Sequence, residues 1–144
     1  MIYKIKDLQT QINNNTYNLT ELSGIYRVLN LDNIPIIFTA TSTNTKFTPY
    51  DVNDLQDRFN ASGKNEILYI GKAKKLEKRI KQYIKFGLNQ VNNHKGGRSI
   101  FQIKDYDQLY IEIIACENCE CVEKSMLIGF RNQFGTLPMA NRQV

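Results

Sequence analysis

One acidic residue falls where a predicted helix has its apolar side. The apolar residues from Val122 to Phe134 recur at helical spacing, and at about 100° per residue Glu123 lies between Phe130 and Phe134. An isolated carboxylate in an apolar environment must lose its charge or acquire a cation. A divalent cation such as Mg²⁺ often takes only one or two protein carboxylates, because water and substrate phosphate fill its other positions. Glu123 is therefore either a metal ligand or an exposed residue of the first helical turn, where the helix dipole favours negative charge.

The positive charge of the sequence is concentrated in one segment. Residues 72–104 contain ten of the 19 lysines and arginines and a single acid, Glu77, whereas the segments on either side carry more acids than bases. Clustered cations favour a polyanion because binding releases its counterions, whatever its base sequence. The pattern predicts a nucleic-acid partner, and the alternative is a solvated helix face.

Size and composition limit the classes of protein to consider. A chain of 144 residues with 42% hydrophobic and 23% charged residues suits one globular domain. Apolar runs are far shorter than the roughly 18 residues that span a membrane, and the first residues do not resemble a signal peptide. We therefore expect a cytoplasmic protein without a membrane partner. The clustered cysteines fit a reducing compartment, and a zinc site would need His94 as a fourth ligand beside Cys116, Cys119 and Cys121.

The elements that must position these residues predict a small α/β fold. Short apolar runs bounded by turn residues predict three strands, at residues 23–29, 67–71 and 109–115. Helical spacing predicts two main helices, at residues 74–86 and 118–133. We expect the first helix to end at Gly87 in a left-handed conformation and the second to be capped by Asn118.

The remaining segments are less regular. Residues 1–20 are polar and predict at most a short helix or an irregular lead-in. Residues 30–66 contain a β-prone run at 34–38, a polar loop and a helical pattern at 51–59, which indicates an insertion between the first two strands. We therefore expect one domain of the α/β (α+β) class, covering residues 1–144, with a mostly antiparallel sheet of about three strands flanked by helices.

Two tripeptides and the residues that follow them resemble the GIY-YIG nuclease superfamily. Gly24-Ile25-Tyr26 and Tyr69-Ile70-Gly71 look like the two halves of the signature that names it. The same order continues downstream with Arg79, Glu123 and Asn141. Residues 69–79 are similar to the N-terminal incision domain of the bacterial excision-repair nuclease, and most of the chain resembles free-standing single-domain bacterial members.

The resemblance implies a metal-dependent endonuclease that hydrolyses phosphodiester bonds in DNA. Glu123 would hold one divalent ion, Mg²⁺ or Mn²⁺. Arg79 would bind the scissile phosphate, since a planar guanidinium matches two phosphate oxygens. Tyr26 would be the general base, with Tyr69 as a second candidate or as a positioning hydroxyl, and both phenols would share one face of the sheet. A phenol pKa near 10 would have to be lowered by neighbouring cations such as the metal, Arg79 or Lys72.

Further residues would support this site. Tyr83 stands where some relatives carry histidine, which leaves the identity of the general base open. His94 matches a His-x-Gly-Gly-Arg block of the free-standing group and would either contact DNA or hydrogen-bond its own turn. Asn141 would brace the backbone or a water on the metal. The other cations would bind the nucleic-acid backbone, namely Lys74, Lys75, Lys78, Lys81, Lys85 and Arg98.

Two other functions remain open from the sequence. A nucleic-acid-binding module could keep the fold and the basic helix and cleave nothing. A ribonuclease is the other alternative, because phosphodiester chemistry does not choose the sugar. We expect a monomer or a weak dimer whose contacts are mostly to phosphates, which position the nucleic acid without selecting a base sequence.

Overall fold

The central sheet is antiparallel throughout. The computed structural model describes residues 1–91 and 94–144, and within these the sheet has four strands in the spatial order β1-β4-β2-β3. The strands are β1 (Ile2–Lys4), β2 (Gly24–Leu29), β3 (Ile67–Ala73) and β4 (Tyr110–Ala115). The α-helices of the described residues are α1 (Ile5–Asn13), α2 (Val52–Ala61), α3 (Leu76–Gly87) and α4 (Cys119–Phe134). The expected α/β class is confirmed, with one strand more than predicted.

Alternating side chains of the strands bury the two faces of the sheet against different helices. Tyr26 and Val28 of β2 belong to the larger core cluster, which also contains the apolar sides of α1 and α3. Ile25 points to the opposite face and joins Ile70 and Leu127 of α4 in a second cluster. This alternation follows from the two-residue period of a strand. Tyr26 therefore lies on the face that packs against α1 and α3, whereas Ile25 and Ile70 lie on the face that packs against α4.

The start of the chain is more ordered than the sequence suggested. β1 pairs with β4, and α1 follows it directly and buries Ile5, Leu8 and Ile12 at helical spacing. The short helix that the sequence allowed is therefore present, and the additional strand is the difference. β1 has only three residues, and no apolar run marks it.

Three details of the helix ends differ from expectation. Gly87 is the last residue of α3, and the left-handed residue after it is Asn89, with φ of 62°. Asn118 occupies the N-cap position of α4, but its side chain forms no capping hydrogen bond. Phe134, expected in the core, is 36% exposed at the end of α4.

The segment between β2 and β3 is mostly loop. The β-prone residues 34–38 form no strand, and only Phe38 makes an isolated antiparallel bridge, with Ile103. α2 begins after Asp51, whose side chain accepts a hydrogen bond from the Asp54 amide at 3.0 Å. None of the helices in the two described ranges is long and apolar enough to cross a bilayer.

Candidate active site

The pairing of β2 with β3 brings two tyrosines together on one face of the sheet. Tyr26 is opposite Gly71, and Val28 is opposite Tyr69, so both phenols project to the same side. Their ring centroids are 5.9 Å apart. The sequence expectation that the two phenols share one face therefore agrees with the strand register.

Tyr83 of α3 completes a cluster of three tyrosines. Its ring centroid is 6.0 Å from that of Tyr26 and 6.0 Å from that of Tyr69. Its hydroxyl donates a hydrogen bond to the Gly97 carbonyl at 2.8 Å, and its side chain is completely buried. Tyr83 therefore packs against the other two rings, and its hydroxyl links the cluster to the turn at residues 96–97.

Glycine is required at two places where backbone meets these rings. A Cβ on Gly71 would lie 2.5 Å from Tyr26 Cζ, so only glycine allows the phenol to cross this strand. Gly97 has φ of 65°, and a Cβ there would lie 2.8 Å from the Tyr83 hydroxyl. Gly71 of the second signature tripeptide and Gly97 of the His-x-Gly-Gly-Arg block therefore leave space for the tyrosine cluster.

A cleft of about 350 Å³ brings the predicted catalytic residues together. Its lining includes two phenols, one guanidinium and one carboxylate, from Tyr26, Tyr69, Arg79 and Glu123. Lys72 and Asn141 also line it. Among the residues in the structure, no carboxylate pairs with Arg79. Its guanidinium charge is therefore available to a ligand in the cleft.

Glu123 faces this cleft rather than bulk solvent. Its side chain is 15% exposed, and Oε1 lies 3.5 Å from Lys72 Nζ. Burial raises the pKa of the Glu123 carboxyl above its ordinary value, and the Lys72 ammonium opposes this shift. A partly buried carboxylate in a cleft that admits phosphate oxygens and water fits a hard divalent cation. Of the two alternatives left open by the helical spacing, this placement does not fit an exposed residue of the first turn, and the metal-ligand role stays a prediction.

Burial also acts on the proposed general base. It raises the pKa of Tyr26 above the ordinary phenol value, and Arg79 beside the hydroxyl opposes this only in part. Arg79 therefore shifts the Tyr26 pKa in the expected direction, but the effect of burial is larger. Burial likewise raises the pKa of Tyr69.

His94 is completely buried next to Tyr26. Its Nε2 lies 3.3 Å from the Tyr26 hydroxyl oxygen, and its ring centroid lies 4.6 Å from that of Tyr83, with the two rings tilted by 43°. Burial lowers the His94 pKa to about 3, so the imidazole is neutral and offers no positive charge to a phosphate. Of the two roles expected for His94, contact with DNA does not fit this position.

Asn141 braces the backbone of the second signature tripeptide. Its side chain hydrogen-bonds both the amide and the carbonyl of Ile70, each at 2.9 Å. This is the first of the two roles expected from the sequence.

The cations of the basic segment are divided between several surfaces. A second cavity of about 440 Å³ adjoins the cleft and is lined by Lys72, Lys74, Lys75, Lys78 and Arg79. Arg98 lines the cleft itself. Lys81 lies over the Tyr17 ring, with Nζ 5.7 Å from the centroid, and neither Lys81 nor Lys85 lines these two cavities. The expected basic surface is therefore continuous with the cleft only through part of its residues.

The structure adds three residues to the cleft that sequence reasoning missed. Tyr50, Lys95 and Arg142 line the cleft. Lys95 lies within the His-x-Gly-Gly-Arg block, which was a signal for it, but no local pattern marks Tyr50 or Arg142.

The structure does not support the zinc alternative. Within residues 1–91 and 94–144, no three His, Cys, Asp or Glu side chains come together in a way that could hold a metal.

A comparison with protein-family models agrees with the resemblance seen in the sequence. The model described as the GIY-YIG catalytic domain matches residues 54–124. The match includes Tyr69, Arg79 and Glu123, whereas Gly24-Ile25-Tyr26 precedes it and reaches the cleft through the pairing of β2 with β3. No curated protein and no solved structure matches the chain significantly.

Proposed function

We propose that the chain, whose residues 54–124 match the GIY-YIG catalytic domain, is a metal-dependent endonuclease that hydrolyses phosphodiester bonds in DNA. The observation that carries the proposal is the convergence of Tyr26, Tyr69, Arg79 and Glu123 on one cleft. Hydrolysis of a phosphodiester needs an attacking water, a base, a cation on the phosphate and stabilisation of the leaving oxygen. Each requirement has a candidate group in this cleft.

Glu123 would hold the divalent ion, Mg²⁺ or Mn²⁺. The ion would supply positive charge to the phosphate and to the leaving oxygen as negative charge develops. The chain's part is to present a single carboxylate with restricted access to solvent, 15% exposed. Lys72, which pairs with Glu123 at 3.5 Å, would exchange that contact for a phosphate oxygen when the substrate arrives.

Arg79 would bind the scissile phosphate. Its position on α3 at the edge of the cleft, with no acidic partner among the described residues, supports this role. The planar guanidinium can donate to two phosphate oxygens at once, which orients the phosphorus toward the attacking water. The same guanidinium lies near the Tyr26 hydroxyl, where it favours the ionised phenol.

In its ionised form, Tyr26 would accept a proton from the water at its phenolate oxygen. His94 Nε2, at 3.3 Å, would hold the phenol in place through a hydrogen bond. Tyr69, with its ring 5.9 Å away, would position the water or the phosphate. Burial makes Tyr26 a weaker acid in the free chain despite Arg79, so the charge of the bound ion would have to act with Arg79 to favour the ionised form.

The neighbouring cations support nucleic acid as the substrate. The second cavity adjoins the cleft through Lys72 and Arg79 and carries three more lysines, Lys74, Lys75 and Lys78. A strand whose scissile phosphate lies at Arg79 would place adjacent phosphates against these lysines. Such contacts give affinity without base-sequence preference.

A nicking assay on supercoiled plasmid with Mg²⁺ or Mn²⁺ tests the proposal. We expect Glu123→Gln and Arg79→Ala to lower the rate at least about 100-fold, because each removes a group that stabilises transition-state charge. Arg131→Gln, which removes an exposed charge on α4, is the matched control. Equal nicking by wild type and the two cleft variants would reject the assignment. Binding without cleavage would indicate the non-catalytic module, and cleavage only of a matched RNA would indicate a ribonuclease.

A further inference from the structure

The cleft has a second wall whose chemistry differs from that of the phosphate-binding side. Tyr50 and Arg142 both line it. The Arg142 guanidinium carbon lies 3.7 Å from the centre of the Tyr50 ring, which is a stacking distance. Tyr50 belongs to the loop before α2, whereas Arg142 follows Asn141 near the other end of the sequence.

Arg142 is paired with an acid, which it shares with a second arginine. Arg142 Nη1 donates to Asp54 Oδ2 at 3.1 Å, and Arg58 Nε donates to the same oxygen at 3.2 Å. A phosphate approaching Arg142 would compete with the Asp54 carboxylate for its donors, so this guanidinium is less available to an anion than that of Arg79. Arg79, which also lines the cleft, has no such acid among the described residues. The planar face of Arg142 therefore suits a flat, neutral group better than a phosphate.

Buried amide side chains hold both members of this stack. The Gln102 side chain, which is completely buried, accepts from the Tyr50 amide at 2.9 Å and donates to the Tyr50 carbonyl at 2.9 Å. The Asn141 side chain fixes the residue before Arg142 to β3 in the same two-bond manner. A surface held in this way loses little conformational entropy when a ligand binds.

We propose that the Tyr50–Arg142 stack binds the base of an unpaired nucleotide next to the scissile phosphate. The inference rests on the proposed nuclease function and specifies its substrate class as DNA with an unpaired nucleotide at the cleavage position. In a continuous duplex the faces of the bases are covered by their neighbours and only the edges are accessible. An unpaired or extruded base exposes its face, which stacks on tyrosine rings and guanidinium planes.

The cleavage test compares a continuous duplex with the same duplex carrying one unpaired nucleotide. We expect wild type to cut the second substrate about tenfold faster, given the usual energy of stacking one base on such a group. Arg142→Lys keeps the charge but loses the plane, so it should abolish this preference, and Tyr50→Leu should do the same. Arg131→Gln should retain it. A wild type without preference, or an Arg142→Lys variant that keeps the preference with an unchanged melting temperature, would overturn the inference.

A binding test separates this inference from the proposed function. The Glu123→Gln variant is mixed with DNA that carries 2-aminopurine at the unpaired position, whose fluorescence falls when the base stacks. We expect quenching with Glu123→Gln and its loss when Arg142→Lys is added, with no cleavage needed. Arg142-dependent quenching without cleavage by wild type would reject the nuclease proposal and support the base site. Cleavage by wild type without Arg142-dependent quenching would support the nuclease and reject the base site.

Discussion

The side chain of Asn141 forms two hydrogen bonds with the main chain of Ile70, one to the amide and one to the carbonyl, each at 2.9 Å. β3 is an outer strand of the sheet, so at Ile70 these groups would otherwise have no strand to pair with on this side. The contact lies between Tyr69 and Gly71. A residue distant in sequence therefore fixes the backbone of the second signature tripeptide.

Replacing Asn141 should destabilise the protein. Asn141→Leu leaves the amide and the carbonyl of Ile70 buried and unpaired, and we expect the free energy of unfolding to fall by about 2–4 kcal/mol. Urea denaturation measures the change. Asn53→Leu, at an exposed position of α2, should shift it by less than about 0.5 kcal/mol. Coincident unfolding curves for Asn141→Leu and wild type would contradict the bracing role.

A methyl group at Gly71 should displace the catalytic phenol. A Cβ there would lie 2.5 Å from Tyr26 Cζ, so we expect Gly71→Ala to cost about 1–3 kcal/mol and to slow plasmid nicking. Thermal unfolding and the nicking assay report the two effects. Gly129→Ala is a strong control, because nothing lies within 4 Å of its added Cβ in α4, and alanine should stabilise the helix by up to about 1 kcal/mol. Unchanged nicking by Gly71→Ala would show that Tyr26 does not act from this position.

Removing the charge of Glu123 should abolish cleavage without destabilising the fold. Burial raises the folded-state pKa of this carboxyl above its ordinary value of 4.5. Its stabilising contribution is therefore present below pH 4.5 and is lost as the pH rises through the folded-state pKa. At neutral pH and without divalent metal, we expect Glu123→Gln to unfold at the same temperature as wild type or higher. A clearly lower melting temperature would mean that the pair with Lys72 outweighs the cost of burial.

The pH dependence of stability should report His94. Its pKa falls from 6.5 to about 3 in the folded state, so the unfolded state binds the proton first. The contribution is complete above pH 6.5 and is lost as the pH falls toward 3, with a slope of up to about 1.4 kcal/mol per pH unit. Urea denaturation of wild type should therefore show a steeper loss between pH 6.5 and 4 than His94→Gln does. Parallel curves for the two proteins would indicate an imidazole that protonates while folded.

Two lysines on one helix should differ in their effect on DNA binding. Lys78 lines the cavity next to the cleft, whereas Lys81 lies over the Tyr17 ring. In plots of log affinity against log salt, we expect Lys78→Gln to reduce the slope by about 0.9, the value for one lost phosphate contact. Lys81→Gln removes the same charge three residues away and should leave the slope unchanged. The reverse result would place the nucleic acid on the other side of α3.

The elements that sequence reasoning found are those marked by local patterns. β2, β3 and β4 are apolar runs between turn residues, and α3 and α4 have apolar residues at helical spacing. β1 was not predicted because it has only three residues and forms by pairing with β4, which is more than 100 residues away in the sequence. Residues 34–38 looked like a strand but contain Pro35 and find one bridge partner, which shows that β propensity without a partner strand is not sufficient.

The candidate site was predictable from one helical pattern and from the family resemblance. The helical spacing singled out Glu123, the resemblance named Tyr26, Tyr69 and Arg79, and the cleft contains all four. Tyr50 and Arg142 follow no periodicity, and their contact depends on Asp54 and on the buried Gln102. Contacts between distant loops of this kind leave no signal in a single sequence.

The cluster of three tyrosine rings also allows binding in the cleft to be followed by the intrinsic fluorescence of the protein. The sequence contains eight tyrosines and no tryptophan, so its intrinsic fluorescence comes from tyrosine alone. Because Tyr26, Tyr69 and Tyr83 are packed beside the cleft, ions or phosphates that enter it alter the surroundings of three of these eight emitters. A titration with Mg²⁺ or Mn²⁺ can then be followed by fluorescence without any attached label.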